Sequence, residues 1–224
     1  MTTATTAGYS GEEALHGADV RLANASILDF WQWAYCDLKD NTGRGVFAEW
    51  MVAKLLRLPA SEPRPPWQAW DITTPDGLTL EVKASAYVQT FGDPANGVLG
   101  NPSKIRFSRL KTRRPLDRFG KKIAEEKTYN ADLYVFCVEL CAQEAAWDPL
   151  DLGQWEFYVL ERDALQDLGQ SSMNLRTLRK VASETAGGPF PAESFRDRSL
   201  ELISEWAARP DVCRRGRRMM EAGI

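Results

Sequence analysis

Ten residues, Leu78 to Tyr87, alternate strictly: Leu78, Leu80, Val82, Ala84 and Ala86 are apolar, and Thr79, Glu81, Lys83, Ser85 and Tyr87 carry polar groups. A period of two marks a β-strand with one apolar and one polar face, so Glu81 and Lys83 project side by side. Pro75, Asp76 and Gly77 stand just before it, and before them AWDITT, a second strand-forming run. Together these predict a β-hairpin closed by a three-residue loop. In that register Thr74 faces Leu78 and, counting back, Asp71 faces Glu81. Carboxylates directly opposite one another repel, so the pair calls for a cation: Lys83, a metal ion or both. A longer turn would shift the pairing. A two-residue shift keeps both acids on one face, and a one-residue slip separates them.

Upstream, SILDFWQWAYCDL places Ile27, Phe30, Trp31, Ala34, Tyr35 and Leu38 at helical spacing behind Ser26 as N-cap, an aromatic stripe expected in the core. NTGRG reads as a turn, followed by an apolar helix from Val46 to Leu58 that stops before Pro59. Glu49 interrupts this helix, and its neighbours three and four positions away (Gly45, Val46, Val52, Ala53) carry no charge. A carboxylate so placed either escapes to solvent or reaches a cation; beside an Asp71–Glu81 pair the second reading is favoured.

Downstream, SEPRPPWQ is an extended connection and TFGDPANGVLGNPS a long loop of the kind usually kept for function or flexibility. KIRFS reads as a third short strand, the basic region through EEKTYN as containing a helix, DLYVFCVEL and QWEFYVLE as strands, and ERDALQDLG and SFRDRSLELISEWAA as helices. Residues 1–24 show no apolar periodicity and are expected as a flexible tail, leaving one domain over 25–224 with a C-terminal helical extension. With 44% hydrophobic content, 224 residues suffice for one such core. The order of elements predicts an α/β fold, a mixed sheet with helices on its faces.

His16 is the only histidine and falls in the expected tail, which disfavours Ser-His and Cys-His hydrolases and histidine-metal sites. Cys36, Cys137, Cys141 and Cys213 form no CxxC pair, and Cys137 is expected to pack as a small hydrophobe. The N-terminus lacks the basic start and apolar run of a signal peptide, and no apolar run reaches membrane-spanning length, so a cytoplasmic protein without membrane association is expected. The net charge of −3 conceals an asymmetry: from Lys104 to Lys122 nine basic residues against one acid leave +8, so the rest of the chain carries −11. A focused positive segment in an acidic protein suits an anionic polymer such as nucleic acid, with Lys104, Arg106, Arg109, Lys111, Arg113 and Arg114 as the expected phosphate contacts and Arg44 as a weaker one.

The order Glu49, Asp71, Glu81-Val82-Lys83 resembles the PD-(D/E)xK nuclease superfamily over roughly residues 41–138, with Trp70 in place of the motif's proline. The resemblance implies a restriction-endonuclease-like fold, a mixed β-sheet flanked by helices in the order helix, β-hairpin, strand, helix, strand. It also implies Mg2+, with Mn2+ as substitute. Asp71, Glu81 and the Val82 carbonyl would be its ligands, Glu49 would hold a metal-bound water or second ion, and Lys83 would position the attacking water. The implied activity is phosphodiester hydrolysis, on DNA in preference to RNA, as an endonuclease of a restriction, defence or mobile-element system, with a homodimer expected if the substrate is duplex. The competing readings are a nucleic-acid-binding module whose vestigial nuclease site serves a larger complex, and an unrelated α/β protein whose Glu81 and Lys83 form a surface ion pair of little energetic worth.

Overall fold

The computed structural model describes residues 9–16, 21–58, 69–90, 103–113 and 125–209. In chain order these form strands β1 (Ala14–His16) and β2 (Arg21–Ser26), helices α1 (Ile27–Tyr35) and α2 (Asn41–Leu55), and strands β3 (Ile72–Thr73), β4 (Thr79–Ala86), β5 (Arg106–Phe107), β6 (Leu133–Glu139) and β7 (Trp155–Glu161). Helix α3 (Arg162–Leu168), strand β8 (Met173–Asn174) and helices α4 (Leu175–Thr185) and α5 (Ala192–Ala207) follow. The main sheet has the order β3-β4-β6-β7, with β4 and β6 parallel and the outer pairs antiparallel. The protein is therefore a mixed α/β fold, a four-stranded mixed sheet with flanking helices. Among the described residues no helix is long and apolar enough to cross a membrane.

The alternating run becomes β4, and its hairpin closes as the sequence predicts. The Thr74 N–H donates to the Leu78 carbonyl at 2.8 Å and the Gly77 N–H to that of Thr74 at 2.9 Å. Gly77 has φ of 82°, a region open to glycine but strained for most side chains. Pairing of Ile72 with Leu80 and Thr73 with Thr79 is the predicted register.

Both faces of the sheet are covered. Leu80 and Val82 of β4, with Leu133, Val135 and Cys137 of β6 and Phe157 and Val159 of β7, pack under Ala48, Met51 and Val52 of α2 and Phe195, Leu202, Ile203 and Trp206 of α5. The opposite face, Tyr134, Phe136, Val138, Tyr158 and Leu160, lies under Phe107, Leu165, Met173, Leu178, Val181 and Ala182. Because Glu81 and Lys83 are in register with Tyr134 and Phe136, the polar side of β4 belongs to this second layer. Helix α5, expected as an extension, is thus part of the core, and Cys137 packs as the hydrophobe its setting suggested.

Several expectations are corrected. Ser26 caps α1 through a full capping box with Asp29, as its position suggested, yet no residue of α1 is buried, and Trp33 is 81% exposed. Helical spacing reveals a stripe but not what covers it. Within the expected tail, β1 and β2 form an antiparallel ribbon, and Gly11 packs against Leu28 and Trp31 of α1. NTGRG is not a turn but the first turn of α2: the Asp40 carboxylate accepts the Thr42 and Gly43 N–H groups at 2.8 and 2.9 Å, and a side chain at Gly43 would meet the Asp37 carbonyl at 2.8 Å. The glycines mimicked a loop, but a capping aspartate outweighs them. KIRFS yields only the two residues of β5, paired with β8 outside the main sheet. Helix α4 was unforeseen, although Leu178, Val181 and Ala182 carry its buried stripe. The helix expected through EEKTYN is not formed at 125–130, where Thr128 bridges to Thr112; residues 114–124 lie outside the described residues.

Asp40→Ala tests the early start of α2. Loss of the cap is expected to lower stability by about 1 kcal/mol in urea denaturation, whereas a helix beginning at Val46 would leave it unchanged.

Candidate functional site

The polar row of β4 is satisfied from end to end. At its start the Thr79 N–H and Oγ1 donate to Asp132 Oδ2 at 3.2 and 2.7 Å, and Asp132 Oδ1 meets Arg162 Nη1 at 3.3 Å. At its far end Ser85 Oγ accepts the backbone N–H of Arg106 at 3.3 Å. Between them Lys83 Nζ donates to Glu81 Oε1, in an ion pair whose side chains are 21% and 12% exposed. This is not a surface pair, and breaking it would leave a charge in a poorly solvated place.

Asp71 stands one residue ahead of β3. Its N–H donates to the Leu80 carbonyl at 2.9 Å, and its Oδ2 accepts the Val82 N–H at 2.8 Å. The paired register ends at Ile72 with Leu80, and the Asp71 N–H turns to that same Leu80, so the ladder stops just short of an Asp71–Glu81 pair. A residue's N–H and C=O point to the same side of a strand, so the Val82 carbonyl faces the same edge as the Asp71 carboxylate. The aspartate finishes the ladder where β3 has run out of backbone.

The Glu81 carboxyl is pushed up to about 7, first by burial and then by the charges of Asp71 and Glu49, against the lowering pull of Lys83. Glu49 is therefore near enough to act on Glu81, but it comes from α2, whose neighbouring Ala48, Met51 and Val52 cover the opposite sheet face. Two contacts are direct, Asp71 with the Val82 N–H and Lys83 with Glu81, while Asp71 and, more weakly, Glu49 act on Glu81 through their charges. Trp70, half-buried beside the second core, donates its Nε1–H to Thr73 Oγ1 at 2.9 Å.

Two carboxylates and a carbonyl on one edge are hard oxygen donors, the kind that Mg2+ or Mn2+ takes. In kind they fit such an ion. Among the described residues, however, no group of three or more His, Cys, Asp or Glu side chains is arranged to hold one. The lysine ammonium is what meets Glu81 in this arrangement.

Of the expected phosphate contacts, Lys104, Arg106, Arg109 and Arg113 are exposed, and Arg106 also reaches Ser172 Oγ at 3.0 Å. Lys111 is half-buried, donating to the Gly169 carbonyl at 2.7 Å above the Tyr129 ring. Arg114 lies outside the described residues. Arg44 is corrected: it is 4% exposed, donates to the Lys39 carbonyl at 2.9 Å and to Asn41 Oδ1, and feels the charges of Asp40, Glu139 and Asp37. A guanidinium buried among these partners braces the start of α2 and is not presented to a ligand.

Sequence reasoning missed the Thr79–Asp132–Arg162 brace and the Tyr134 ring that the parallel register sets beside Glu81. Asp132 is 53 residues from Thr79, and no local pattern signals that pairing. No family model matches the chain, and no curated protein is similar to it.

A pH dependence follows. Because Glu81 holds its proton up to about 7, against an ordinary 4.5, the folded chain binds that proton more tightly than the unfolded one. Its contribution to stability is complete below 4.5 and is lost as pH rises through 7. In chelator, the denaturation midpoint is expected to fall from pH 5 to pH 8, and Glu81→Gln to flatten that slope.

Proposed function

We propose that the chain is a divalent-cation-dependent nuclease of the PD-(D/E)xK type with a restriction-endonuclease-like core, acting on DNA in preference to RNA. The observation that carries this reading is the Asp71 carboxylate held on the Val82 N–H beside the largely buried Glu81–Lys83 pair, with Asp71 and Glu49 acting on Glu81 by charge. The mixed sheet with a parallel β4–β6 pair supports it at the level of architecture.

Asp71, Glu81 and the Val82 carbonyl would hold the ion, and Glu49 would add charge or a water contact. When bound, a divalent ion supplies Lewis acidity to a phosphodiester and a more acidic water. The remaining work falls to the chain. Lys83 Nζ donates hydrogen bonds from within the site and can fix a water or a phosphate oxygen by charge and direction. The Val82 N–H holds the Asp71 carboxylate at the edge, so this acid is oriented before any substrate arrives. Beyond Ser85, which touches the backbone of Arg106, the exposed Lys104, Arg106 and Arg109 offer a cationic path for the polyanion, continuous with the polar row of β4.

A second reading is a binding module with a vestigial site, which the Lys83–Glu81 ion pair suits because it satisfies the carboxylate from within the chain. Cleavage separates the two. Wild-type protein with Mg2+ or Mn2+ is expected to nick or linearise plasmid DNA, with chelator abolishing the reaction. Lys83→Ala and Asp71→Asn, shown folded by circular dichroism, should each lose on the order of 10²-fold or more in rate. A module would bind DNA without cutting it or needing metal. For the interface, Arg106→Ala is expected to weaken DNA binding evenly across sequences and to reduce the slope of log affinity against log salt by about 1. An unchanged slope would remove Arg106 from the contact surface.

A further inference from the structure

We propose that α1 is the surface through which two copies of this chain associate about a two-fold axis, apolar arc against apolar arc, with Phe30 and Trp33 at its centre. The inference stands apart from the nuclease reading, since it uses no residue of that site.

It begins with what holds the amino-terminal arm together. The Ile27 N–H donates to the Glu13 carbonyl and the Leu28 N–H to that of Gly11, each at 3.0 Å, joining the β1–β2 ribbon to α1. Beyond that junction, neither hydrophobic core contains a described residue ahead of Phe47. A nine-residue helix is too short to hold by itself in water, and a two-stranded ribbon is little better. Such a unit keeps its shape where a further surface covers its apolar side chains.

Helix α1 shows where that cover belongs. Only Asp29 and Gln32 interrupt its apolar and aromatic residues, and at 3.6 residues per turn they lie close together, leaving more than half the circumference apolar. A helix so constituted is normally buried. Gly11 of the arm lies against Leu28 and Trp31 on one flank. The other flank is open: the Phe30 and Trp33 ring centroids are 6.5 Å apart, and these side chains are 50% and 81% exposed. Taking about 200 Å² for a large side chain, the exposed parts of Leu28, Phe30, Trp31, Trp33 and Tyr35 come to roughly 500 Å². Two copies joined there would remove about 1,000 Å² from water, the size at which specific interfaces begin.

Charge selects the occupant. From Tyr9 to Leu38 five acids against one arginine leave −4, which repels nucleic acid and anionic lipid, and α1 lacks the basic flank of a helix that lies on a membrane. Two of these acids are engaged within the arm: Glu13 accepts the Ser10 and Gly11 N–H groups at 2.9 Å, and Asp29 accepts that of Ser26 at 2.6 Å. An uncharged arc of this kind matches itself. A two-fold axis sets Trp33 of one copy against the arc of the other and leaves Asp29 and Gln32 of both at the rim.

Sedimentation of the full-length chain at micromolar concentration tests this, beside Trp33→Glu and hydroxyl-radical footprinting of the wild type read by mass spectrometry. The wild type is expected as a dimer. Trp33 lies in neither core, so Trp33→Glu should keep the wild-type circular dichroism while associating more than about 30-fold more weakly. In footprinting, Trp33 should be oxidised more slowly than Trp50, although Trp50 is the less exposed of the two in a single chain, at 52%. If Trp33→Glu does not fold, wild-type sedimentation and footprinting decide together. A monomeric wild type overturns the proposal even if Trp33 is protected, since the chain would then cover α1 itself. A dimer with Trp33 oxidised faster than Trp50 overturns it as well, as does a dimer that a folded Trp33→Glu leaves intact, or association without end into larger species.

Discussion

The structure depends on one constraint: β4 lies between two packed layers yet carries a polar residue at every second position. A strand with one wet face could leave Thr79, Glu81, Lys83 and Ser85 to water. Here each must find its partner inside the protein. Thr79 takes Asp132, Glu81 takes Lys83, and Ser85 takes the backbone of Arg106. The first and last of these have neutral donors: one ties β4 to the residue ahead of β6 and the other ties β5 to the sheet. The middle one joins two opposite charges, an expensive choice for a core and a reasonable one for a site.

The shortness of β3 gives that choice its outlet. With only two residues in the ladder, the edge of β4 beyond Leu80 loses its backbone partner, and a side-chain carboxylate from Asp71 takes the next N–H. The site therefore sits where backbone pairing gives way to side-chain pairing. Glu49 approaches from the layer over one face and Glu81 projects into the layer on the other, so the charges converge around the edge of the sheet. The residue between the two charged members, Val82, packs with Ala48 and Val52 in the first core. Volume changes in that core would be felt directly in the spacing of Glu81 and Lys83.

What was legible in the sequence followed from short-range rules. Alternation from Leu78 to Tyr87 and a three-residue turn were enough to set Ile72 opposite Leu80 and Thr73 opposite Thr79, because hairpin register is local. Ser26 as a cap was legible for the same reason. Where two local signals conflicted, the reading went astray: the glycines of NTGRG obscured the stronger vote of Asp40 for a helix. Where the answer depended on distant parts of the chain, no local rule sufficed. Nothing near Arg44 discloses that Glu139 will face it, and nothing near Asp132 points to Thr79. The aromatic stripe of α1 is the converse case, a correct helix whose apolar residues lack the cover that periodicity alone led one to expect.

That stripe gives the protein a built-in optical division. Trp155 and Trp206 are each only 2% exposed and lie in the first core, whereas Trp33 on α1 stands open to solvent beside the half-exposed Phe30 and Tyr35. Indole emission shifts to longer wavelength in water and is quenched by small aqueous ions only where they can reach the ring. An unlabelled sample therefore carries a blue, shielded component from Trp155 and Trp206 and a red, quenchable one to which Trp31 and Trp33 of α1 and the half-exposed Trp50 of α2 contribute. Covering α1 would act on the red component alone, whereas loosening the core would shift the blue one.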